Sequence, residues 1–537
     1  LVSAAAGSGK TRVLVERLMS YVTDEENPRD IDAFLVITYT NAAAAELRSR
    51  ILDELDKRLA ADPGNRRLRR QSALCYRAQI GTIHSFCKRV IRENCHLLGI
   101  APDFKVMEEE RGEELKASVL EKLLEEAYEN IDRNEGFRLL VDTVGAGRDD
   151  SRLSEILLSL YESMQSHAYP REWAQEQIKA MDLSHVADAG DTAWGKYLLR
   201  RAASIADYWI VEMDGLLARM HSGEENAPLV KAYGESIAET ADALRCFRRA
   251  LEKDKWDAAC KCLPILFPAF KSLRNFPDKE LQEHVKSRRD ACKKDMKKLE
   301  ELFSDDSAQL IGDMEKTRPA MEALLRLVLD FDEAYSKEKR RLGLLDFSDL
   351  EHLAVRLLVD REKGAPTWLA VELGQKFEEI MIDEYQDVND VQELILKAVS
   401  NGGRNLFMVG DVKQSIYRFR LANPGIFIGK YLRYSDAEPL KGDSPASLIP
   451  PEDPETGASL LLAPEKGRRV LLQENFRSRA SVLKAVNHVF RNIMSTELGE
   501  LDYDENAELK PGAKYPEGDL PVELDILALP EAEEEEE

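Results

Sequence analysis

The chain reads as an α/β protein in which one parallel-sheet lobe is interrupted by a large all-helical insertion and followed by the start of a second α/β lobe. Three observations predict this. Short β-rich runs alternate with helical stretches over residues 1–107, long charged amphipathic segments fill 108–343, and short apolar runs ending in acidic residues return over 344–438.

The first lobe opens on Leu1-Val2, an apolar run, and continues through a helix over Thr11–Val22, a strand over Phe34–Thr38 and a helix over Asn41–Leu59. Strands that alternate with helices pair in parallel, because parallel neighbours need a crossover and the helices supply it. Over 108–343 β-branched runs are scarce, and Leu324, Leu327, Val328, Phe331 and Tyr335 recur at the spacing of one helix face. Ile380-Met381-Ile382 and Leu406-Phe407-Met408-Val409 read as strands of the first lobe resumed, each ending in acidic residues or Gly-Asp, as at the carboxyl ends of parallel strands. Residues 439–467, rich in Pro, Gly and Ser, read as a linker. Val470-Leu471-Leu472 then begins another strand-to-helix unit, so 468–537 is expected to open a second domain that ends in the acidic run Glu533–Glu537.

Bulk properties bound the class. A chain of 537 residues exceeds one hydrophobic core, so several domains are expected. No apolar run approaches the roughly 20 residues that span a bilayer, so no membrane partner is expected. The seven cysteines are scattered without C-x-x-C pairs, which argues against a disulfide framework or zinc ribbon and reads as reduced cytoplasmic thiols. The net charge of −24 governs solubility and steering, but a nucleic-acid path needs only a local basic groove. The chain begins with Leu rather than Met, inside what reads as a strand, and its start is expected to be a fragment boundary.

Two motifs carry chemistry. Ala4-Ala5-Ala6-Gly7-Ser8-Gly9-Lys10-Thr11 fits the phosphate-loop pattern, except that Ala4 stands where the first glycine usually is. Small residues let successive N–H groups wrap the phosphates of ATP, Lys10 reaches the β and γ groups, and the Thr11 hydroxyl holds Mg²⁺ at a helix N-terminus. Ile380-Met381-Ile382-Asp383-Glu384-Tyr385-Gln386-Asp387 is an apolar strand tipped by carboxylates, where Asp383 suits the Mg²⁺ shell and Glu384 the polarisation of attacking water. A chance glycine-rich turn and a solvated acidic strand end are the bland alternatives. The two motifs together favour a nucleotide hydrolase.

Further strings carry a resemblance. Asp383-Glu384-x-Gln386-Asp387 followed by Gly410-Asp411-Val412-Lys413-Gln414-Ser415-Ile416-Tyr417-Arg418-Phe419-Arg420 resembles motifs II and III of the UvrD-like superfamily 1 DNA helicases. Thr38-Tyr39-Thr40-Asn41-Ala42 with Glu46 and Arg48 resembles motif Ia, Gly81-Thr82-Ile83-His84-Ser85-Phe86 motif Ib, and Asn475-Phe476-Arg477-Ser478 motif IV, all in family order. Within these helicases, the stretches Thr82–Arg89, Leu344–His352 and Asn475–Asn487 are most similar to the AddA subfamily of helicase–nucleases. The family's glutamine before the phosphate loop, its motifs V and VI and the subfamily's nuclease are not found in this sequence.

The resemblance implies a RecA-like phosphate-loop domain, with 108–343 as an inserted helical subdomain and 468–537 as the start of a second RecA-like domain. It implies that Gln414 senses the γ-phosphate and that Arg477 reaches it from the second lobe, making Lys10, Glu384, Gln414 and Arg477 the catalytic set. It sets Tyr39, Asn41, His84, Tyr417, Phe419 and Arg420 along single-stranded or duplex DNA, where rings stack on bases without reading sequence. By the same resemblance the motor runs 3′-to-5′, forms a heterodimer with an AddB-type partner and serves double-strand break repair in the bacterial cytoplasm, at the nucleoid. A UvrD-type repair helicase without nuclease and a non-enzymatic scaffold with a helicase fold are the alternative readings. The basic run Lys286, Arg288, Arg289, Lys293, Lys294, Lys297 and Lys298 reads more readily as a solvated helix face than as a DNA grip.

Overall fold

Strand pairing in the computed structural model explains why the apolar runs are short and uninterrupted: they are the buried strands of one sheet. The structure describes residues 1–144, 151–415, 421–436, 466–499, 501–516, 518 and 522–523. Strands Val2–Ala4 (β1), Phe34–Thr38 (β2), Gln79–Thr82 (β3), Glu379–Ile382 (β4), Leu406–Gly410 (β5), Ser435–Asp436 (β6) and Arg468–Leu472 (β7) form a seven-stranded sheet. Its order is β6-β7-β1-β5-β4-β2-β3 and every pairing is parallel.

Alternation along each strand feeds two cores. Phe34 and Val36 of β2 and Met381 of β4 face one side, with Leu14, Leu18 and Val409. Leu35, Ile37, Ile380 and Ile382 face the other, with Val391, Ile395 and Met408. Both faces are covered, which is why these strands carry no polar alternation. Covering helices are Lys10–Val22 (α1), Asn41–Ala61 (α2) and Ile83–Glu93 (α3), and later Phe347–Leu358 (α4), Asp390–Val399 (α5) and Pro424–Arg433 (α6). In α1 the buried stripe is Leu14, Val15, Leu18, Met19 and Val22, the spacing of a single helix face.

Strand β7 corrects the expected start of a second domain at 468. Its residues Val470, Leu471 and Leu472 pair with Val2, Ser3 and Ala4, so it extends the first sheet. The Val470 amide donates to the Leu1 carbonyl at 2.8 Å and the Ala5 amide to the Leu472 carbonyl at 2.9 Å. The reason is that β1 offers an open parallel edge, a property invisible in the composition of the segment that joins it. Beyond it, Glu474–Asn475 pairs in parallel with Lys510–Pro511 in a separate two-stranded ribbon. Most of the linker assigned to 439–467 and the Glu533–Glu537 tail lie outside the described residues.

The chain divides into two compact units, residues 1–122, 158–173 and 331–537 in one and 123–157 and 174–330 in the other. The change from sheet to helix at 107/108 and 343/344 is therefore not where the compact units divide. Polar pairings explain it: Gln165 Nε2 donates to Asp332 at 3.0 Å, and Lys339 Nζ lies 2.7 Å from both Asp346 and Asp349, binding these helical segments into the α/β unit. The second unit is helical throughout its described residues. Its interior gathers Trp209, Met213, Leu244, Phe247, Trp256, Val285 and Met296. In the basic run, Lys286 and Lys298 pair with Glu283 and Asp295 on their own helix, Arg288 with Glu212 at 2.7 Å, and Arg289 is buried against the Pro268 carbonyl. That accounts for four of its seven charges within the unit. Among the described residues no helix is long and apolar enough to cross a membrane.

Candidate active site

Parallel strands bring their carboxyl ends to one edge, and there the motifs meet. Residues 5–9 leave β1 for α1, Asp383 and Glu384 leave β4, Asp411 to Gln414 leave β5, and Asn475 follows β7. This edge is where open α/β sheets bind ligands.

Ala4 ends β1 fully buried, so its methyl group belongs to the core and a glycine is not needed there. Gly7 and Gly9 are needed: both adopt left-handed backbone, φ 71° and 89°. A Cβ on Gly7 would stand 2.7 Å from Asn475 Nδ2 and 2.9 Å from the Arg477 Cβ, so the loop and the Asn475 turn are in close approach. Asn475 clamps them, donating from Nδ2 to the Ala6 carbonyl at 2.6 Å while its Oδ1 accepts from the Arg477 and Ser478 amides at 2.8 Å. The Phe476 amide adds a bond to the Gly7 carbonyl at 3.0 Å.

Lys10 Nζ lies 2.6 Å from Glu384 Oε2 and 3.1 Å from Gln414 Oε1, drawing the predicted lysine, carboxylate and glutamine into one cluster. Glu384 sits in left-handed backbone at φ 50°. Gln386 braces it, donating to Glu384 Oε2 at 2.8 Å and to Asp387 at 3.2 Å while accepting from the Asp411 amide at 3.0 Å. Asp411 in turn accepts from Gln414 Nε2 at 2.8 Å and pairs with Lys413 at 2.9 Å. Burial, and then the Glu384 charge, push the Asp383 carboxyl from 3.8 up to about 6, and the same two causes in the same order raise Asp387 to about 6.

These features fit a phosphate ligand with a divalent cation. The Ser8 hydroxyl is buried without a hydrogen-bond partner among the described residues, and Asp383 is a carboxylate whose ionised form lacks enough compensating charge. Thr11 stands in the first turn of α1.

The remaining predicted residues divide. Arg477 has its backbone against Gly7, but its side chain is exposed and makes no hydrogen bond or ion pair among the described residues. Tyr39 is half-buried after β2, and Asn41 is exposed at the start of α2. His84 donates or accepts at 3.0 Å with Glu351 and lies 5.0 Å, centroid to centroid, from the exposed Phe347 ring. Burial alone would raise the Glu351 carboxyl, but hydrogen bonds from His84, Gln392 and Asn389 hold it below its ordinary value. Tyr417, Phe419 and Arg420 lie outside the described residues.

Sequence reasoning missed the clamp of Asn475, the bracing by Gln386 and Asp411, and the Glu351 support of His84. Each missed side chain lies in or beside a motif already noted. The missing signal was the pairing, which depends on strand order.

The site and sheet define a nucleotide-binding α/β motor domain, and the UvrD/REP helicase N-terminal domain matches residues 1–434. The chain belongs to the UvrD/REP helicase family, whose members are ATP-dependent hydrolases of the helicase class. It is 40% identical over its whole length to an ATP-dependent helicase/nuclease protein of the AddA type from Geobacillus thermodenitrificans (strain NG80-2), covering 42% of that protein. It is 37% identical to the protein of the same name from Ruminiclostridium cellulolyticum, with 96% of this chain and 40% of that protein aligned. The chain thus spans about two fifths of the length of these relatives.

Proposed function

We propose that this chain carries the ATP-hydrolysing site of a DNA helicase motor, built on a RecA-like domain with a helical insertion. The carrying observation is the meeting of Lys10, Glu384 and Gln414, 374 and 404 residues apart in sequence, at the carboxyl edge of the sheet. Lys10 and the turning amides of residues 5–9 hold the β and γ phosphates of ATP, and Gln414 contacts the γ group. Glu384, released from Lys10 as phosphate takes the ammonium, polarises the attacking water. Thr11 and Asp383 would hold Mg²⁺, which supplies charge neutralisation on the phosphates when bound. Arg477, set against Gly7, adds positive charge to the transferring phosphoryl.

Tyr39, Asn41, His84, Tyr417, Phe419 and Arg420 contact the DNA strand in this reading. The names of the relatives support a helicase–nuclease, hence 3′-to-5′ movement on single-stranded DNA, an AddB-type partner and a cytoplasmic role in break repair. Intact Lys10 and Glu384 argue against a scaffold, in which either could be lost without harm to the sheet.

The test is ATP hydrolysis by the full-length parent protein, with and without single-stranded DNA, beside a Glu384→Gln variant. Stimulation that is lost in the variant supports the motor. Absence of hydrolysis, or hydrolysis that survives the substitution, contradicts it.

A further inference from the structure

Behind the Glu384 turn lies a buried polar network that the hydrolytic set does not use. Tyr385 directly follows Glu384, is 1% exposed, and donates its hydroxyl to Glu393 Oε2 on α5. Lys430 on α6, also 1% exposed, places Nζ 3.0 Å from Glu393 Oε1 and 5.2 Å from the centre of the Tyr385 ring. Its surroundings are otherwise apolar, with Met408 Sδ at 3.6 Å and Phe427 and Ile395 in the same core.

Such a pair needs a reason. Desolvation of two charges cancels most of their attraction, and apolar side chains of the same volume would stabilise a core as well, so a buried ion pair speaks for orientation more than for stability. Phenylalanine at 385 would fill the same space, and the tyrosine hydroxyl adds only a directional bond.

What the network joins is specific. One end is the turn that fixes Glu384 in left-handed backbone. The other is α6, the helix that ends the segment beginning with Asp411 and Gln414. The near end of that helix is tied to the same turn, since the Asn423 amide donates to the Val388 carbonyl at 3.0 Å and Asn423 Nδ2 to Asp390 at 3.0 Å. A shift of α6 is therefore transmitted to the backbone one residue from Glu384.

We propose that Tyr385, Glu393 and Lys430 are positioning residues that couple the DNA-contacting segment ahead of α6 to the orientation of Glu384. This rests on the proposed motor function, in which residues 417–420 meet DNA. None of the three touches substrate; they act through the Glu384 turn.

The test measures ATP hydrolysis by the full-length parent protein with and without a poly(dT) oligonucleotide, for the parent, Tyr385→Phe, Lys430→Met and the paired Lys430→Met/Glu393→Gln. Lys430→Met alone strands the Glu393 carboxylate and lowers the melting temperature, whereas the paired change removes both charges and restores it. Coupling predicts that the paired variant, melting like the parent, keeps its KM for ATP and its DNA-free rate within about twofold yet loses about tenfold of the DNA-stimulated kcat. Tyr385→Phe shows a smaller loss in the same sense. Full stimulation in the paired variant would overturn the coupling and leave the network as core filling. A parent protein whose hydrolysis ignores DNA would overturn the motor reading, and the coupling with it.

Discussion

The two compact units use polar side chains differently. In the α/β unit, buried or half-buried charges join segments far apart in sequence: Lys10 with Glu384, Arg17 with Glu379 at 2.5 Å, Lys430 with Glu393 at 3.0 Å. In the helical unit most ion pairs are exposed and many are local, such as Arg245 with Asp242, Lys286 with Glu283 and Arg318 with Glu322, while the interior is largely apolar. The α/β unit thus holds its chemistry in a few irreplaceable contacts at one sheet edge. The helical unit spreads its stability over many packed side chains.

Substitutions should expose this contrast, the largest effect first. Glu384→Gln removes the group that polarises water, and the steady-state rate of ATP hydrolysis should fall by about 10²–10⁴ with nucleotide affinity retained, as a fluorescent-nucleotide titration would show. Phe247→Ala, in the centre of the helical unit, should cost about 3–5 kcal/mol by chemical denaturation. A cost below about 1 kcal/mol there would break the account of that unit as one held by packing. Gly7→Ala puts a methyl group into Asn475 in a backbone conformation that disfavours side chains, so roughly 1–2 kcal/mol of strain should appear together with weakened nucleotide binding in the same titration.

Charge in the α/β unit also sets a pH dependence. The folded Asp387 carboxyl keeps its proton to about pH 6, whereas the unfolded group loses it near 3.8, so its contribution is fully present below 3.8 and is lost as pH rises through 6. Asp387→Asn should therefore flatten the fall in melting temperature over that window. An unchanged slope would show that burial does not burden this carboxylate. The smallest effect belongs to the helical unit: Lys286→Ala should leave its denaturation midpoint unmoved, because the exposed pair with Glu283 is screened by water.

The same contrast governs what could be read in advance. Phe34–Thr38 was legible as a strand to the residue, because a strand buried on both faces is apolar throughout. Leu324, Leu327, Val328, Phe331 and Tyr335 were legible as one helix face, and all five are buried. The phosphate loop and the Asp383-Glu384 strand end carry their chemistry in residue types, so Lys10, Glu384 and Gln414 could be named before any contact was known. Strand order is not written in residue types, and so β7 was assigned to the wrong sheet. Side chains whose roles come only from partners, among them Asn475, Gln386, Glu351 and Lys430, were silent for the same reason.

The most direct measurement is a structure of the full-length parent protein with a non-hydrolysable ATP analogue and Mg²⁺. Lys10 Nζ is expected to leave Glu384 for a phosphate oxygen, with Gln414 at the γ group and Asp383 beside the cation. A nucleotide bound elsewhere, with the 2.6 Å Lys10–Glu384 contact intact, would contradict the motor site.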